Sequence, residues 1–244
     1  VVLLRCRAEL RRVTARDLVL CGASGVLLAL HFLTWFESLK RTSVASSTVL
    51  VSTEVIFTAL GFALFLHGKI PRLGVWAILL AFGGSALLAL SGGGGAGELS
   101  GNLLALAAAS AAAVYTLIGR IQRGHLSTTV YTFLTYLACF LTLLLGTAAA
   151  GTPLTGYGGR EWLIGLALAV LCTLLGHSLF SWCLKYLSPS YVSAAKLCEP
   201  VFSSLAAIPL FGEVPGPLQL AGGAAVLGAV LLYTWAECEK TPAG

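Results

Sequence analysis

Charge is what this sequence has least of. Only 10% of its 244 residues are Asp, Glu, Lys or Arg, against about a quarter in soluble domains, whose surfaces must face water. An ordinary water-facing surface is therefore excluded. The chain also has no Met and only four His. It has no CxxC pair and no Cys/His spacing that suits zinc, and its seven cysteines (Cys6, Cys21, Cys139, Cys172, Cys183, Cys198 and Cys238) lie mostly within apolar runs. They read as small core hydrophobes, and neither a disulfide framework nor a metal site is expected. The run Gly92-Gly93-Gly94-Gly95 lacks the Lys-Ser/Thr ending of a phosphate-binding loop, which argues against ATP-driven chemistry. No cofactor motif and no catalytic set follow from the residues.

What is present is apolar length. Hydrophobic residues make up 57% of the chain, the mean hydropathy is +0.91, and runs of about 20 residues recur, each enough to cross a hydrocarbon core of roughly 30 Å as a helix. Spans are expected at 18–36, 43–66, 73–91, 101–119, 128–150, 162–184, 190–211 and 218–236, eight in all. The fold class is an all-α polytopic membrane protein. The connections are short, so consecutive helices are expected to be antiparallel neighbours.

The net charge of +5 does not point to nucleic acid, because the basic residues fall in short gaps and form no continuous face. Counted by alternating loops, one side holds Arg5, Arg7, Arg11, Arg12, Arg16, Lys69, Arg72, Arg120, Arg123, Lys185 and Lys240, and the other only Lys40, Arg41 and Arg160. That asymmetry puts the N-terminal segment and the C-terminus in the cytoplasm. The opening Val1-Val2-Leu3-Leu4 reads as the tail of an apolar segment, so an N-terminally incomplete protein is expected, and no signal peptide is recognisable.

The chain carries weak internal symmetry. Glu54-Val55-Ile56-Phe57 matches Glu199-Pro200-Val201-Phe202; Leu66-His67-Gly68-Lys69-Ile70-Pro71 matches Leu210-Phe211-Gly212-Glu213-Val214-Pro215; and Gly84 falls opposite Gly228. His31 and Trp35 precede the first match much as His177 and Trp182 precede the second. By the expected topology the helices of Glu54 and Glu199 run in opposite directions, so the repeat is inverted, as alternating access requires.

These segments resemble the drug/metabolite transporter superfamily, EamA-like branch: 187–228, with Glu199-Pro200 and Gly212-Glu213, is similar to the ninth and tenth helices of that family, and 31–69 to the equivalent part of its first repeat. Lys69 stands where the family often has Glu, and Val55 where Pro200 stands in the second half. The resemblance implies two five-helix inverted repeats with cytoplasmic termini, of which eight helices are present of ten. It divides the chain into a first repeat at 1–91 (its last three helices), a glycine-rich loop at 92–100, a second repeat at 101–236 and a cytoplasmic tail at 237–244. It also implies a bacterial or archaeal plasma membrane.

Intramembrane ionisable groups cost about 2.5–3.5 kcal/mol each on insertion scales and are candidates for function by default. Glu54 and Glu199 both fall near mid-span. Lys196, three residues before Glu199, can neutralise it, so a structural ion pair and a coupling role weigh about equally there. Glu54 has no basic neighbour one turn away and is expected either to be protonated or to meet a partner from another helix. His31 and His177 are weaker candidates, since a lone membrane histidine more often bonds between helices. Trp35, Trp182 and Tyr115 offer apolar faces with a polar handle to an amphipathic substrate, although belt or packing roles are the commoner ones. Tyr131 and Tyr136 share that reading.

Two rivals remain. Gly22-Ala23-Ser24-Gly25 resembles the serine motif of intramembrane rhomboid proteases, with His177 as a conceivable base, but the AHxxG context is missing. A non-transport membrane scaffold is the other. The reading adopted is a secondary transporter and not an enzyme, exporting small amphipathic metabolites or drugs by alternating access. Its expected partners are a small-molecule substrate, protons as a candidate coupling ion, the lipid bilayer and, as an open option, a second copy in a homodimer. Nucleic acid, metals and cofactors are not expected.

Overall fold

The computed structural model describes residues 6–67, 71–91, 96–187, 189, 192, 208–212 and 214–238. Among the described residues every regular element is helical: α1 (Arg7–Leu10), α2 (Ala15–Leu39), α3 (Val44–Val51), α4 (Glu54–Phe65), α5 (Arg72–Ser91), α6 (Ala96–Gln122), α7 (Thr128–Ala149), α8 (Gly159–Ala167), a π-helical stretch (Leu168–His177), α9 (Ser178–Cys183) and α10 (Pro217–Cys238). Among the described residues six segments are long and apolar enough to cross a membrane: Ala15–Leu39, Val44–Phe65, Glu98–Gln122, Thr128–Ala149, Gly159–Cys183 and Pro217–Ala236. Each coincides with an expected span. The span expected at 73–91 appears as α5, with a shorter apolar core at Arg72–Ala81. The span expected at 190–211 falls almost wholly outside the described residues.

Two segments expected as single helices are interrupted. Val44–Phe65 breaks at Ser52 and Thr53. Gly159–Cys183 passes into the π-helical stretch, an irregularity that composition alone does not announce. Large apolar side chains such as Val19, Phe65, Leu145, Leu163 and Leu175 are exposed along the helices, which lipid accommodates and water does not.

Contacts divide the chain into two compact units: Val1–Ala29 with Tyr115–Ser188, and Leu30–Val114 with Pro189–Gly244. In the first unit, Cys21, Leu126, Val130 and Tyr131 form a buried cluster. Gly25 lets α2 meet α7 backbone to backbone. A Cβ built there would overlap the Thr135 carbonyl oxygen and lie 2.5 Å from Ala138 Cβ and 2.8 Å from Cys139 N.

The helix ends of this unit are tied by side chains, as orphan N–H and C=O groups demand. Thr14 and Asp17 form a reciprocal cap on α2: the Thr14 N–H donates to Asp17 Oδ2 (3.0 Å) and the Asp17 N–H to Thr14 Oγ1 (3.2 Å). Asp17 Oδ1 also accepts from Gln122 Nε2 (3.1 Å) and lies 2.8 Å from His125 Nε2. Ser127 caps α7 through the Val130 N–H, while its own N–H donates to Glu9 Oε1 at 2.6 Å. At the C-terminus of α9, Arg120 Nη1 donates to the Leu184 carbonyl (2.7 Å) and Arg123 Nε to the Ser181 carbonyl (3.0 Å). Arg123 also donates to the Leu126 carbonyl, and its burial pushes the guanidinium pKa down from its ordinary value.

In the second unit, Val49, Leu50, Val55, Ile56 and Ala59 pack with Ala77, Ile78 and Ala81 of α5 and with Val226, Ala229, Val230 and Tyr233 of α10. α5 and α10 run antiparallel and very close. A Cβ on Gly84 would lie 2.9 Å from the Gly222 oxygen and one on Gly74 3.0 Å from the Tyr233 ring, whereas Gly228, the sequence match of Gly84, faces open space. Hydroxyls and amides pin the remaining helices. Ser38 Oγ lies 2.9 Å from Ser47 Oγ, joining α2 to α3. Thr42 Oγ1 donates to Asn102 Oδ1 (2.8 Å), and Gln219 Nε2 donates to Ser43 Oγ (3.0 Å) and Ser46 Oγ (2.9 Å).

Two outcomes follow. Gly25→Ala overpacks the α2–α7 contact and lowers stability by about 1–3 kcal/mol, whereas Gly22→Ala, with nothing within 4 Å, is neutral or stabilising by up to about 1 kcal/mol; thermal unfolding of the detergent-solubilised protein separates the two. Asp17→Ala leaves the Thr14 N–H without its acceptor and the Gln122 amide with only the Cys21 sulfur, and lowers stability by about 1–3 kcal/mol in the same assay, while an equal melt for Asp17→Ala and wild type would refute the cap.

Candidate functional site

The most informative group in the second unit is Glu54. It is the eleventh residue of the 22-residue span Val44–Phe65, is 5% exposed, and opens α4 just after the interruption. The interruption shows in the local hydrogen bonding. The Thr53 N–H bonds the Leu50 carbonyl and the Val55 N–H the Ser52 carbonyl, a spacing of three residues in place of four. Thr53 Oγ1 reaches the Leu50 carbonyl at 2.6 Å and Ser52 Oγ the Thr48 carbonyl at 2.9 Å, back-bonds of the kind that bend helices. A broken helix with a carboxylate at the break, halfway through a membrane span, is how transporter binding sites are commonly built.

His31 and Trp35 come together in the same unit. His31 is buried, its Nδ1 lies 3.0 Å from the Ala108 carbonyl, and its ring stacks on Trp35 at 5.7 Å and 29°. Because a carbonyl only accepts, Nδ1 carries the hydrogen and the tautomer is set. The Trp35 indole N–H is buried and has no partner among the described residues, like the Thr58 hydroxyl one turn beyond Glu54. The Trp35 N–H and the Thr58 hydroxyl are thus buried polar groups with spare hydrogen-bonding capacity.

In the first unit Tyr115 sits edge-on to His177, with ring centroids 6.0 Å apart, and its hydroxyl lies 3.2 Å from Ser181 Oγ. His177 ends the π-helical stretch. Tyr136, from α7, bonds into that stretch through the Thr173 carbonyl (3.2 Å) and lies 3.1 Å from Ser178 Oγ. The irregular turn is therefore held by a tyrosine, which a π-helix surrounded by lipid requires. Trp182 is 49% exposed and lies 5.1 Å from the Tyr186 ring, so it faces outward and does not line a buried pocket. Lys196 and Glu199 lie outside the described residues.

Ser24, the would-be nucleophile, is fully buried, and its hydroxyl partner at 2.8 Å is the phenol of Tyr131, not a histidine. The GxSG pattern is a packing and hydrogen-bonding motif here, with Gly25 serving the close contact to α7.

Sequence reasoning overlooked Asp17, Gln122, Arg123 and Asn102, all buried. The Thr14-x-x-Asp17 spacing was a readable capping signal. The others were not readable, because their partners are remote in sequence: Gln122 meets Asp17, Arg123 meets the Ser181 carbonyl and Asn102 meets Thr42.

Comparison with known proteins agrees with this architecture. A solved crystal structure superposes with a TM-score of 0.62 over 91% of this chain and 78% of that one at 21% identity, a likeness of fold. The pseudopaline exporter CntI of Pseudomonas aeruginosa is 24% identical over 207 residues, 85% of this chain and 72% of that protein. A "probable terminal-alkyne amino-acid exporter" of Streptantibioticus cattleyicolor is 28% identical over 233 residues, 91% and 75% respectively. The sequence profile of the EamA-like transporter family matches residues 3–90 and 99–235. The chain belongs to the EamA-like transporter family and is an integral membrane transport protein.

Proposed function

We propose that this protein is a secondary carrier that exports small amphipathic metabolites by alternating access between two inverted repeats, eight helices of a ten-helix plan. The observation that carries this reading is Glu54, a buried carboxylate at the break between α3 and α4 in mid-span. Burying an ionisable group at that depth is costly, and a structural helix has no need of it. A break in the backbone supplies unpaired carbonyls and a joint about which two half-helices can tilt, both of which a carrier uses. Two relatives named as exporters, one of them for an amino acid, support export and an amino-acid-like substrate with polar ends and an apolar middle.

His31, Trp35 and Thr58 supply group types that suit such a molecule, aromatic faces for its apolar part and buried hydrogen-bonding groups for its polar part. Glu199, by the symmetry of the sequence, supplies the equivalent carboxylate in the second repeat, with Lys196 three residues before it. The eleven-to-three distribution of Lys and Arg supports a cytoplasmic location for both ends, and the bacterial exporters among the relatives support a bacterial or archaeal plasma membrane.

Purified protein in proteoliposomes moves propargylglycine, a terminal-alkyne amino acid, faster than empty vesicles do, and an imposed pH gradient changes the rate at least several-fold. Flux equal to that of empty vesicles, across a panel of such amino acids, favours the scaffold reading. Orientation has its own test. In a variant retaining Cys238 as its single cysteine, an impermeant thiol reagent leaves sealed right-side-out vesicles unlabelled until they are opened, and ready labelling from outside inverts the topology.

A further inference from the structure

Residues 7–17, which lead into α2, hold four arginines and two acids, and the structure sorts the two kinds by face. Both acids are committed to the interior of the first unit. Glu9 accepts the Ser127 N–H at 2.6 Å, and its charge favours the buried Arg123 guanidinium. Asp17 accepts from the Thr14 N–H and hydroxyl and from the Gln122 amide, and lies 2.8 Å from His125. Cys6, Leu10 and Val13 pack on the buried cluster of Cys21, Leu126, Val130 and Tyr131. Arg7, Arg11, Arg12 and Arg16, by contrast, are all exposed. Among the described residues no carboxylate pairs with any of them. The segment is thus apolar and hydrogen-bonded on its inner side and basic on its outer side, the pattern of a chain lying in a membrane interface.

Its depth follows from the residues after it. Leu18 and Val19, 53% and 70% exposed, begin the lipid-facing surface of the span Ala15–Leu39. Arg16 precedes Leu18 by two residues, about 3 Å of helix rise. The arginines therefore stand where hydrocarbon gives way to phospholipid headgroups.

We propose that this segment is a docking surface for anionic glycerophospholipid, whose phosphodiester the exposed arginines hold beside the start of α2. A guanidinium presents five N–H donors in a planar fork that matches phosphate oxygens, and it keeps its charge throughout the physiological pH range. With both local carboxylates spent inside the protein, the counter-charge has to come from outside, and at headgroup depth the abundant anion is the lipid itself. Soluble phosphate would supply the charge but not the acyl chains that lie against Leu18 and Val19. Arg120, Arg123 and Lys185 are engaged elsewhere, the first two on carbonyls and the third over the Tyr186 ring at 5.7 Å. Setting topology asks only that basic residues be present. The inward acids and the apolar inner side go further, because they hold four unneutralised guanidinium groups on one anchored segment. The inference is independent of the transport reading.

The test is lipid selection by the full chain. Detergent-solubilised protein is equilibrated with equimolar phosphatidylglycerol and phosphatidylcholine of the same acyl chains, and bound lipid is counted by native mass spectrometry. Phosphatidylglycerol adducts exceed phosphatidylcholine adducts by at least about fivefold in the wild type, the gain that one basic residue close to an anionic surface provides. Raising the ammonium acetate concentration from about 0.1 M to about 1 M lowers that ratio, as screening requires. Replacing all four residues (Arg7→Gln, Arg11→Gln, Arg12→Gln and Arg16→Gln) brings the ratio close to one, while Arg160→Gln, at the start of α8, leaves it unchanged. The paired variants Arg7→Gln with Arg11→Gln and Arg12→Gln with Arg16→Gln each lower it, which keeps the test decisive should the fourfold variant fail to fold. A wild-type ratio near one, or an equal ratio in the wild type and both paired variants, overturns the proposal. Loss of the preference on adding inorganic phosphate at matched ionic strength assigns the surface to soluble phosphate and overturns the lipid assignment.

Discussion

Every backbone N–H and C=O within the hydrocarbon layer has to find its partner inside the protein, because the solvent there offers none. The rest of this structure follows from that constraint. It selects helices for the spans, and it explains why the irregular places are those most densely supplied with side-chain hydrogen bonds. At the ends, Thr14 with Asp17, Ser43, and Ser127 with Glu9 take up the free N–H groups. Arg120 and Arg123 take up free carbonyls beyond α9. In the middle, Thr53 and Ser52 lend hydroxyls to the carbonyls around the α3–α4 break, and Tyr136 does the same for the π-helical stretch.

Close packing is the second consequence. Apolar side chains gain little by leaving lipid for one another, so helix association depends on backbone approach and on polar contacts between helices. Gly25 against α7 and Gly84 against α10 provide the approach. The contacts Ser24 with Tyr131, Ser38 with Ser47, and Thr42 with Asn102 provide the polar ties.

The positions that do not obey the packing rule are the ones with functional weight. Glu54, His31, Trp35 and Thr58 are buried polar groups where apolar ones would pack more simply. Glu54 and Thr58 follow the break at Ser52–Thr53, and His31 and Trp35 stack on each other along α2. Their burial distinguishes them from Trp182, whose exposed ring answers to the surroundings of the protein and not to its interior.

Amino-acid order alone determined the membrane class, six of the spans that the structure shows, and the family, because hydrocarbon thickness and the insertion cost of charge write themselves directly into run length and composition. It also singled out Glu54, since a carboxylate in mid-run is visible without a fold. The expected repeat boundaries, the Lys196–Glu199 pair and the orientation rest on the sequence still. Tertiary structure decided what depends on residues remote in the chain: that Ser24 answers to Tyr131 and not to a histidine, that Asp17 meets Gln122, that Gly84 packs on Gly222 and not with its repeat match Gly228, and that His31 is fixed by Ala108. The break at Ser52–Thr53 belongs to this second kind as well. Serine and threonine are tolerated in an intact helix, and only the hydroxyl geometry, set by the surrounding packing, turns them into a joint.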